Sequence, residues 1–192
     1  MDWNRIIKGM IRAIKLDKAF YNEVEKDTSY SQDALVVVVL VSVIGALGAL
    51  VGALIRGQIL AAILGFIVAA VIAVAGFYVW VFIAHYVGTR FFKGQGDRGE
   101  LQRAMGFAYS PQILNLLGFI PCLGAIISLV AWVLTIVAGF IAVRESLDQD
   151  NTNAALTVVV SAVIVFLITA AITAVFAALG FGISAMTGAL NQ

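Results

Sequence analysis

Charged residues, proline and cysteine are all scarce in this sequence, and each shortage excludes a class of protein. Only 12% of the 192 residues are charged, whereas 62% are hydrophobic and the mean hydropathy is +1.03. A soluble globular chain is about 25% charged, so this composition predicts an integral membrane protein. Two prolines and the lack of a long polar tract leave no segment that could form a separate soluble domain. The single Cys122 excludes an intrachain disulfide.

The residues that usually carry chemistry are equally few. With one histidine (His85) and one cysteine, neither a soft-ligand metal site nor a Ser-His-Asp or Cys-His set can be assembled. The string GQGDRG at 94–99 matches a nucleotide-binding pattern, but it follows an apolar helix and not a strand, so we predict a flexible linker. The predicted spans contain no deep carboxylate, Lys or Arg, which counts against an ion-coupled transporter. The sequence therefore predicts a protein that is not an enzyme, needs no cofactor or metal and binds no nucleic acid.

Residues 1–33 are predicted to form an amphipathic helix followed by an acidic connector, residues 22–33. Apolar residues recur at helical spacing on one face: Trp3, Ile6, Ile7, Met10, Ile11 and Ile14. The opposite face carries Arg5, Lys8, Arg12 and Lys15. Such a helix suits the headgroup plane, which predicts lipid contact through Trp3 and these four basic residues. The alternative is a helix that packs on the protein's own surface.

Five apolar runs follow, each long enough or nearly long enough to cross a bilayer core of about 30 Å. They predict an all-α, five-transmembrane-helix bundle over residues 34–180, with spans at 34–55, 59–87, 104–120, 122–143 and 154–179. Residues 181–192 form a small-residue tail. Small residues at Gly48, Gly52 and Gly65 suggest close helix packing, either inside one bundle or between two copies.

The distribution of Lys and Arg predicts the orientation of the chain. Eleven of the twelve lie in the N-terminal segment or in the loops after the second and fourth spans, and only Arg56 lies in a loop on the other side. Because basic loops remain in the cytoplasm, the N-terminus is predicted inside and the C-terminus outside. We therefore expect a multi-pass protein of the cell membrane.

The third and fourth spans form a hairpin that carries most of the polar side chains predicted to lie in the membrane. Tyr109, Gln112 and Asn115 recur on one helix, and Ser128, Trp132 and Thr135 recur on the other. Pro111 cannot donate to the carbonyl of Phe107, which leaves an acceptor in hydrocarbon. We predict an inward-facing polar cluster that satisfies itself: Tyr109, Ser110, Pro111, Gln112, Asn115, Ser128 and Trp132. It acts either as interhelical bonding around a proline kink or as a pocket for a lipid or partner segment.

Several stretches of this hairpin resemble one known family. The residues are Ala-Tyr-Ser-Pro at 108–111, Ile-Pro-Cys-Leu-Gly at 120–124, Trp132 and Ala-Val-Arg-Glu at 142–145. Together with LDKAFYNEVEKDTSYSQDAL before the first span, they are similar to the Yip family, the Ypt/Rab-GTPase-interacting membrane proteins. The resemblance implies five spans with the same orientation. The Asp-Leu-Tyr-Gly-Pro motif of eukaryotic relatives has no counterpart here, so small-GTPase binding is not supported.

Two functional hypotheses follow. The compact loops are typical of a prokaryotic member, which would lie in the plasma membrane; a eukaryotic one would lie in an endomembrane. The first hypothesis is a non-enzymatic protein that scaffolds or organises membrane and partner proteins through helix and lipid contacts. Its partners would be membrane lipids and either further copies of itself or another membrane protein. The alternative is an oligomeric component for small-solute or lipid permeation.

Overall fold

The structure is a computed structural model that describes the backbone of residues 2–55, 59–119 and 123–190. It describes the side chains of these residues except 48, 49, 52–55, 61, 62, 118, 119, 176 and 178–190. The described chain consists of helices joined by short loops: α1 (Trp3–Ile14), α2 (Lys18–Lys26), α3 (Tyr30–Ile55), α4 (Ile59–Phe91), α5 (Arg98–Ala108), a 3-10 helix (Ser110–Phe119), α6 (Leu123–Ser146) and α7 (Asn151–Leu190). The prediction of an all-α protein is confirmed.

Four of the described helices are long and apolar enough to cross a membrane: Tyr30–Leu47, Ile63–Phe91, Leu123–Ser146 and Asn151–Val175. They lie in α3, α4, α6 and α7 and correspond to four of the five predicted spans. The protein is therefore a multi-pass membrane protein. α7 continues as a helix to Leu190, so most of the predicted small-residue tail belongs to it.

The third predicted span, 104–120, is not one helix. α5 begins earlier, at Arg98, and ends at Ala108, and a 3-10 helix takes over at Ser110. Pro111 explains the change, because it lies in the first turn of the new helix, where its missing N–H is not needed. The expected kink is thus a change of helix type. Among the described residues no side chain donates to the carbonyl of Phe107.

The end of the bundle that carries α1, α2 and α5 is closed by aromatic packing. The ring centroids of Phe20 and Phe107 lie 5.1 Å apart, with the rings nearly perpendicular. Two glycines permit the close approach: a Cβ on Gly9 would lie 2.7 Å from the Phe107 ring, and one on Gly106 would lie 2.8 Å from the Cβ of Ala34. These contacts join α1, α2 and α3 to α5. We call this the charged end, since most Lys, Arg, Asp and Glu residues lie in its segments.

The loop 92–97 forms hydrogen bonds with α4 and with the residue after α6, whereas its glycines predict a flexible linker. The Gln95 N–H donates to the Leu147 carbonyl at 3.0 Å, and His85 Nε2 lies 3.2 Å from the Gly96 carbonyl oxygen. A side chain at Gly96 would collide with the Ser146 carbonyl. The glycine at this position is therefore required by close packing of the loop on the end of α6.

Two glutamates of α2 have opposite environments. Glu23 accepts hydrogen bonds from Tyr30 at 2.6 Å and from Arg12 at 2.8 Å, and these bonds, that from Tyr30 first, lower the pKa of its carboxyl. Glu25 is 5% exposed, and burial raises the pKa of its carboxyl to about 7. Lys26 opposes that rise, whereas Asp148, Glu145 and Glu100 add to it. Ionised Glu25 therefore opposes the docking of α2 on α5 and α6.

Glu25→Gln is expected to stabilise the protein in a pH-dependent way. A carboxyl whose pKa is raised by folding costs stability as the pH rises from about 4.5 towards 7, and the full cost remains above 7. At pH 8 the variant should exceed the wild type by roughly 1–3 kcal/mol, and most of the difference should disappear by pH 5. Unfolding in detergent micelles at the two pH values measures it.

Glu23→Gln is the matched control, because it makes the same change two residues away. Its carboxyl has a lowered pKa, so it contributes stability at neutral pH that is lost on acidification. The control should therefore destabilise the protein at pH 8. Equal effects of the two substitutions would contradict the assignment of opposite environments.

Candidate functional site

A continuous chain of hydrogen bonds joins the 3-10 helix to the middle of α6. Asn115 Nδ2 donates to Gln112 Oε1 at 2.6 Å, and Gln112 Nε2 donates to Thr135 Oγ1 at 3.0 Å. Thr135 Oγ1 in turn donates to the backbone carbonyl of Ala131 at 2.7 Å. Gln112 and Thr135 each accept one hydrogen bond and donate the next, so the bonds all run in the same direction. We call these three side chains and the Ala131 carbonyl the polar seam.

The structure brings part of the predicted cluster together. Gln112 and Asn115 are in the seam, and Tyr109 is half-buried beside them. Ser110 and Pro111 are buried where α5 passes into the 3-10 helix, and Ser110 Oγ has no partner among the described residues.

Ser128 and Trp132 do not join the seam, contrary to the prediction that they face inward. Both lie on the exposed face of α6, and Trp132 is 59% exposed. The physical reason is the close approach of the 3-10 helix, which leaves room only for small side chains. Ala131 and Ala138, both 0% exposed, occupy that face, and Trp132 points away from it, one position on from Ala131. Thr135, four residues after Ala131, is the α6 residue that forms the bond.

A cavity of about 210 Å³ with one polar wall lies beside the seam. It is bounded by α3, α4 and the 3-10 helix, and residues of α3 and α4 supply its small-residue wall: Val41, Ser42, Gly45, Ala46, Ala69 and Ala73. Tyr109, Gln112 and Asn115 supply its polar wall. All of these lining side chains are uncharged. Composition and helical spacing do not reveal Ser42 as part of a site, because a single serine in a run of valines is common in membrane helices.

The predicted lipid-contact residues of α1 fall into two groups, since some contact the rest of the protein and others are exposed. Arg5 forms an ion pair with Asp33 at 2.5 Å, and Arg12 pairs with Asp17 and Glu23, each at 2.8 Å. Both arginines are therefore turned towards α2 and α3, because the acidic connector folds back onto α1. Lys8 and Lys15 are exposed. The apolar residues divide likewise, with Ile6 and Met10 buried and Trp3, Ile7 and Ile11 exposed.

The predicted helix-packing glycines give no close contact that the structure describes. The surroundings of Gly48 and Gly52 lie outside the described side chains. Gly65 is exposed, and a Cβ added to it would meet nothing within 4 Å. Among the residues whose side chains are described, Gly65 therefore marks no close helix contact. Within the described residues, no group of three or more His, Cys, Asp or Glu could hold a metal ion.

Comparison with known proteins assigns the family. The family model described as the Yip1 domain matches residues 15–186, which is most of the chain. The chain belongs to the Yip family. The resemblance of the hairpin motifs to that family is thus confirmed. The matched region begins directly after α1, so α1 lies outside it. No curated protein and no solved structure matches the chain.

The polar seam should stabilise this Yip-family protein measurably. Gln112→Leu removes two of its bonds and should lower the unfolding free energy by about 1–2 kcal/mol. In a double-mutant cycle with Thr135→Val, the coupling energy should be about 0.6 kcal/mol, because interhelical bonds in membranes are individually modest. The coupling energy follows from the unfolding free energies of the wild type, the two single variants and the double variant, each measured in mixed detergent micelles.

Thr169→Val is the control for this cycle. Thr169 is exposed on α7 and donates only to the Val165 carbonyl of its own helix, at 2.9 Å. It should change stability little and show no coupling to Gln112→Leu. A coupling near zero between Gln112 and Thr135 would show that the seam does not act as a unit.

Proposed function

We propose that this protein organises the membrane and partner proteins without chemistry of its own, through lipid contacts and helix contacts. The observation that carries the proposal is the exposed surface of α1. That surface combines an apolar ridge, formed by Trp3, Ile7 and Ile11, with the neighbouring Lys8 and Lys15. We call these five residues the α1 surface.

The exposure of the ridge cannot be explained by packing within the chain. Trp3, Ile7 and Ile11 are 54%, 52% and 47% exposed, and they lie one helical turn apart along α1. Three large apolar side chains in a row cost free energy in water, at about 25 cal/mol per Å². Insertion into the headgroup region removes that cost, and Lys8 and Lys15 then meet anionic lipid. α1 can therefore contact lipid with this face while its other face packs on α5, so the two predicted alternatives are compatible.

The proposal includes five crossings, with the N-terminus inside and the C-terminus outside. α4 and α6 both end at the charged end, where Gln149 Nε2, just after α6, donates to the Gly88 carbonyl at 3.1 Å. α6 begins about 36 Å away, at its rise of about 1.5 Å per residue over 24 residues. The chain covers that distance through α5 and the 3-10 helix, which gives the fifth crossing. The basic residues at the charged end favour a cytoplasmic position for that end, in a prokaryotic plasma membrane.

Two helices offer surface for membrane partners. The described side chains of α7 after Val165 are exposed. In the α4 span, only 11% of the apolar window is buried inside the protein. Such faces suit lipid, a second copy of the chain or another membrane protein. A second candidate function, an oligomeric permeation component for small solutes or lipids, is favoured by the polar cavity beside the seam. Solute flux in proteoliposomes that is abolished by Asn115→Leu would support this second candidate.

The α1 surface should insert into anionic bilayers. In a Cys122→Ser background, cysteines at Ile7 and Ile11 would carry an environment-sensitive fluorophore in vesicles of phosphatidylcholine and phosphatidylglycerol. Their emission should shift to shorter wavelength and resist an aqueous quencher, because the labels enter the headgroup region. High salt should weaken this protection in the parent, because it screens the attraction between the two lysines and anionic lipid. In a Lys8→Gln, Lys15→Gln variant the effect of salt should be smaller.

A cysteine at Lys18 provides the matched control, because Lys18 is exposed on α2, away from the ridge. Its label should remain accessible to the quencher. If the labels at Ile7 and Ile11 are quenched as strongly as that at Lys18, α1 does not contact the membrane and the proposed function loses its support.

A further inference from the structure

Ser42 presents an unsatisfied hydroxyl to the interior of the membrane domain. The residue is 4% exposed, and its Oγ has no hydrogen-bond partner among the described residues. Ser42 lies 12 residues after Tyr30, about 18 Å along α3, so it is far from either end of that helix. A buried hydroxyl without a partner in hydrocarbon is costly, which points to a partner supplied from outside the chain.

The cavity that Ser42 faces has further hydrogen-bonding capacity. Tyr109 lines the same cavity, and no described residue bonds its hydroxyl. Asn115 uses its Nδ2 in the seam, so its Oδ1 remains available as an acceptor. The cavity thus offers both donors and an acceptor. Because its lining side chains carry no charge, it suits an uncharged group and excludes a carboxylate, phosphate or ammonium.

A second cavity, of about 420 Å³ and open at the surface of the bundle, meets the first at Ser42. It lies between α3 and α4 and is otherwise lined by apolar residues, namely Val39, Val43, Ala70, Val71, Val74 and Ala75. The two cavities therefore share one side chain, the first with hydrogen-bonding walls and the second with hydrocarbon walls. A molecule that occupies both must be polar at one end and apolar at the other.

We propose that these two cavities bind a neutral long-chain lipid with a small hydroxyl headgroup. The headgroup lies among Ser42, Tyr109 and Asn115, where it accepts from and donates to their free groups. The hydrocarbon chain lies along the apolar cavity between α3 and α4. This site is separate from the α1 surface, so its failure would leave the proposed function of α1 untouched.

A photoreactive, diazirine-bearing hexadecanol tests this proposal on the full chain in phosphatidylcholine vesicles. Mass spectrometry of the labelled peptides should place the label on α3 and α4 near Ser42. Unlabelled hexadecanol should compete, whereas hexadecane, which lacks the hydroxyl, and palmitate, which is charged, should compete at least about tenfold less well. Glycerol, which has hydroxyls but no chain, should not compete.

Two variants fill the cavities by independent routes. Ser42→Leu removes the hydroxyl and adds volume. Gly45→Leu adds volume at a position where a new Cβ meets nothing within 4 Å, and a leucine favours the helix more than a glycine does, so folding should be retained. Each should reduce specific labelling at least about fivefold. The controls make the same changes elsewhere: Ser128→Leu on the exposed face of α6, and Gly76→Leu on α4, where the space around the glycine is also open.

The outcomes separate this site from ordinary lipid around the protein. The proposal is supported if the label lies near Ser42 and hexadecanol displaces it. It also requires that both filling variants lose the label and that both controls keep it. Label spread evenly over the exposed helix faces would overturn it. Equal competition by hexadecane, or unchanged labelling in Gly45→Leu with the fold intact, would also overturn it, because the cavity would then hold only water or bulk lipid.

Discussion

Hydrocarbon supplies no hydrogen-bond partner, and the membrane half of this structure depends on that constraint. Gln112, Asn115 and Thr135 must satisfy one another, so the 3-10 helix is held against α6 at one register. The bonds use a donor of Gln112 towards α6 and a donor of Asn115 within the 3-10 helix. Their remaining acceptor capacity, together with Tyr109, is left on the side of α3 and α4. The cavity is thus a consequence of the way in which the seam is satisfied.

The charged end is fastened differently, through backbone carbonyls and ion pairs. The guanidinium of the buried Arg103, on α5, donates to the Val24 carbonyl at 3.0 Å and to the Glu25 carbonyl, at the end of α2. Arg12 links α1 to α2 through Asp17 and Glu23. α1 is therefore bound to the family domain through α2, although it precedes the matched region. A helix fixed in this way presents its apolar ridge at one place relative to the bundle.

The sequence predicts the elements whose signals are local and long. Runs of apolar residues identify α3, α4, α6 and α7, and helical spacing identifies α1 and the pairing of Gln112 with Asn115. It does not predict which arginines of α1 are neutralised, because Glu23 and Asp33 reach α1 only after the connector folds back. It places Trp132 inward, since spacing alone cannot show which face of α6 the 3-10 helix covers. Nor does the sequence show why position 96 must be glycine. The reason is contact with the Ser146 carbonyl, 50 positions away.

The two proposed lipid contacts differ in chemistry, and the charge distribution of the chain explains the difference. Lys8 and Lys15 lie at the surface, where water lowers the cost of a charge and an anionic headgroup can approach. Ser42 lies deep in the bundle, where an ionised partner would lose its hydration without a counter-charge. The two proposed sites therefore recognise lipid headgroups in different ways. The site at the interface uses charge, and the site in the core uses hydrogen bonds to neutral groups. A protein that organises membrane components can use such a division, because occupancy of one site does not compete for the lipid that the other site requires.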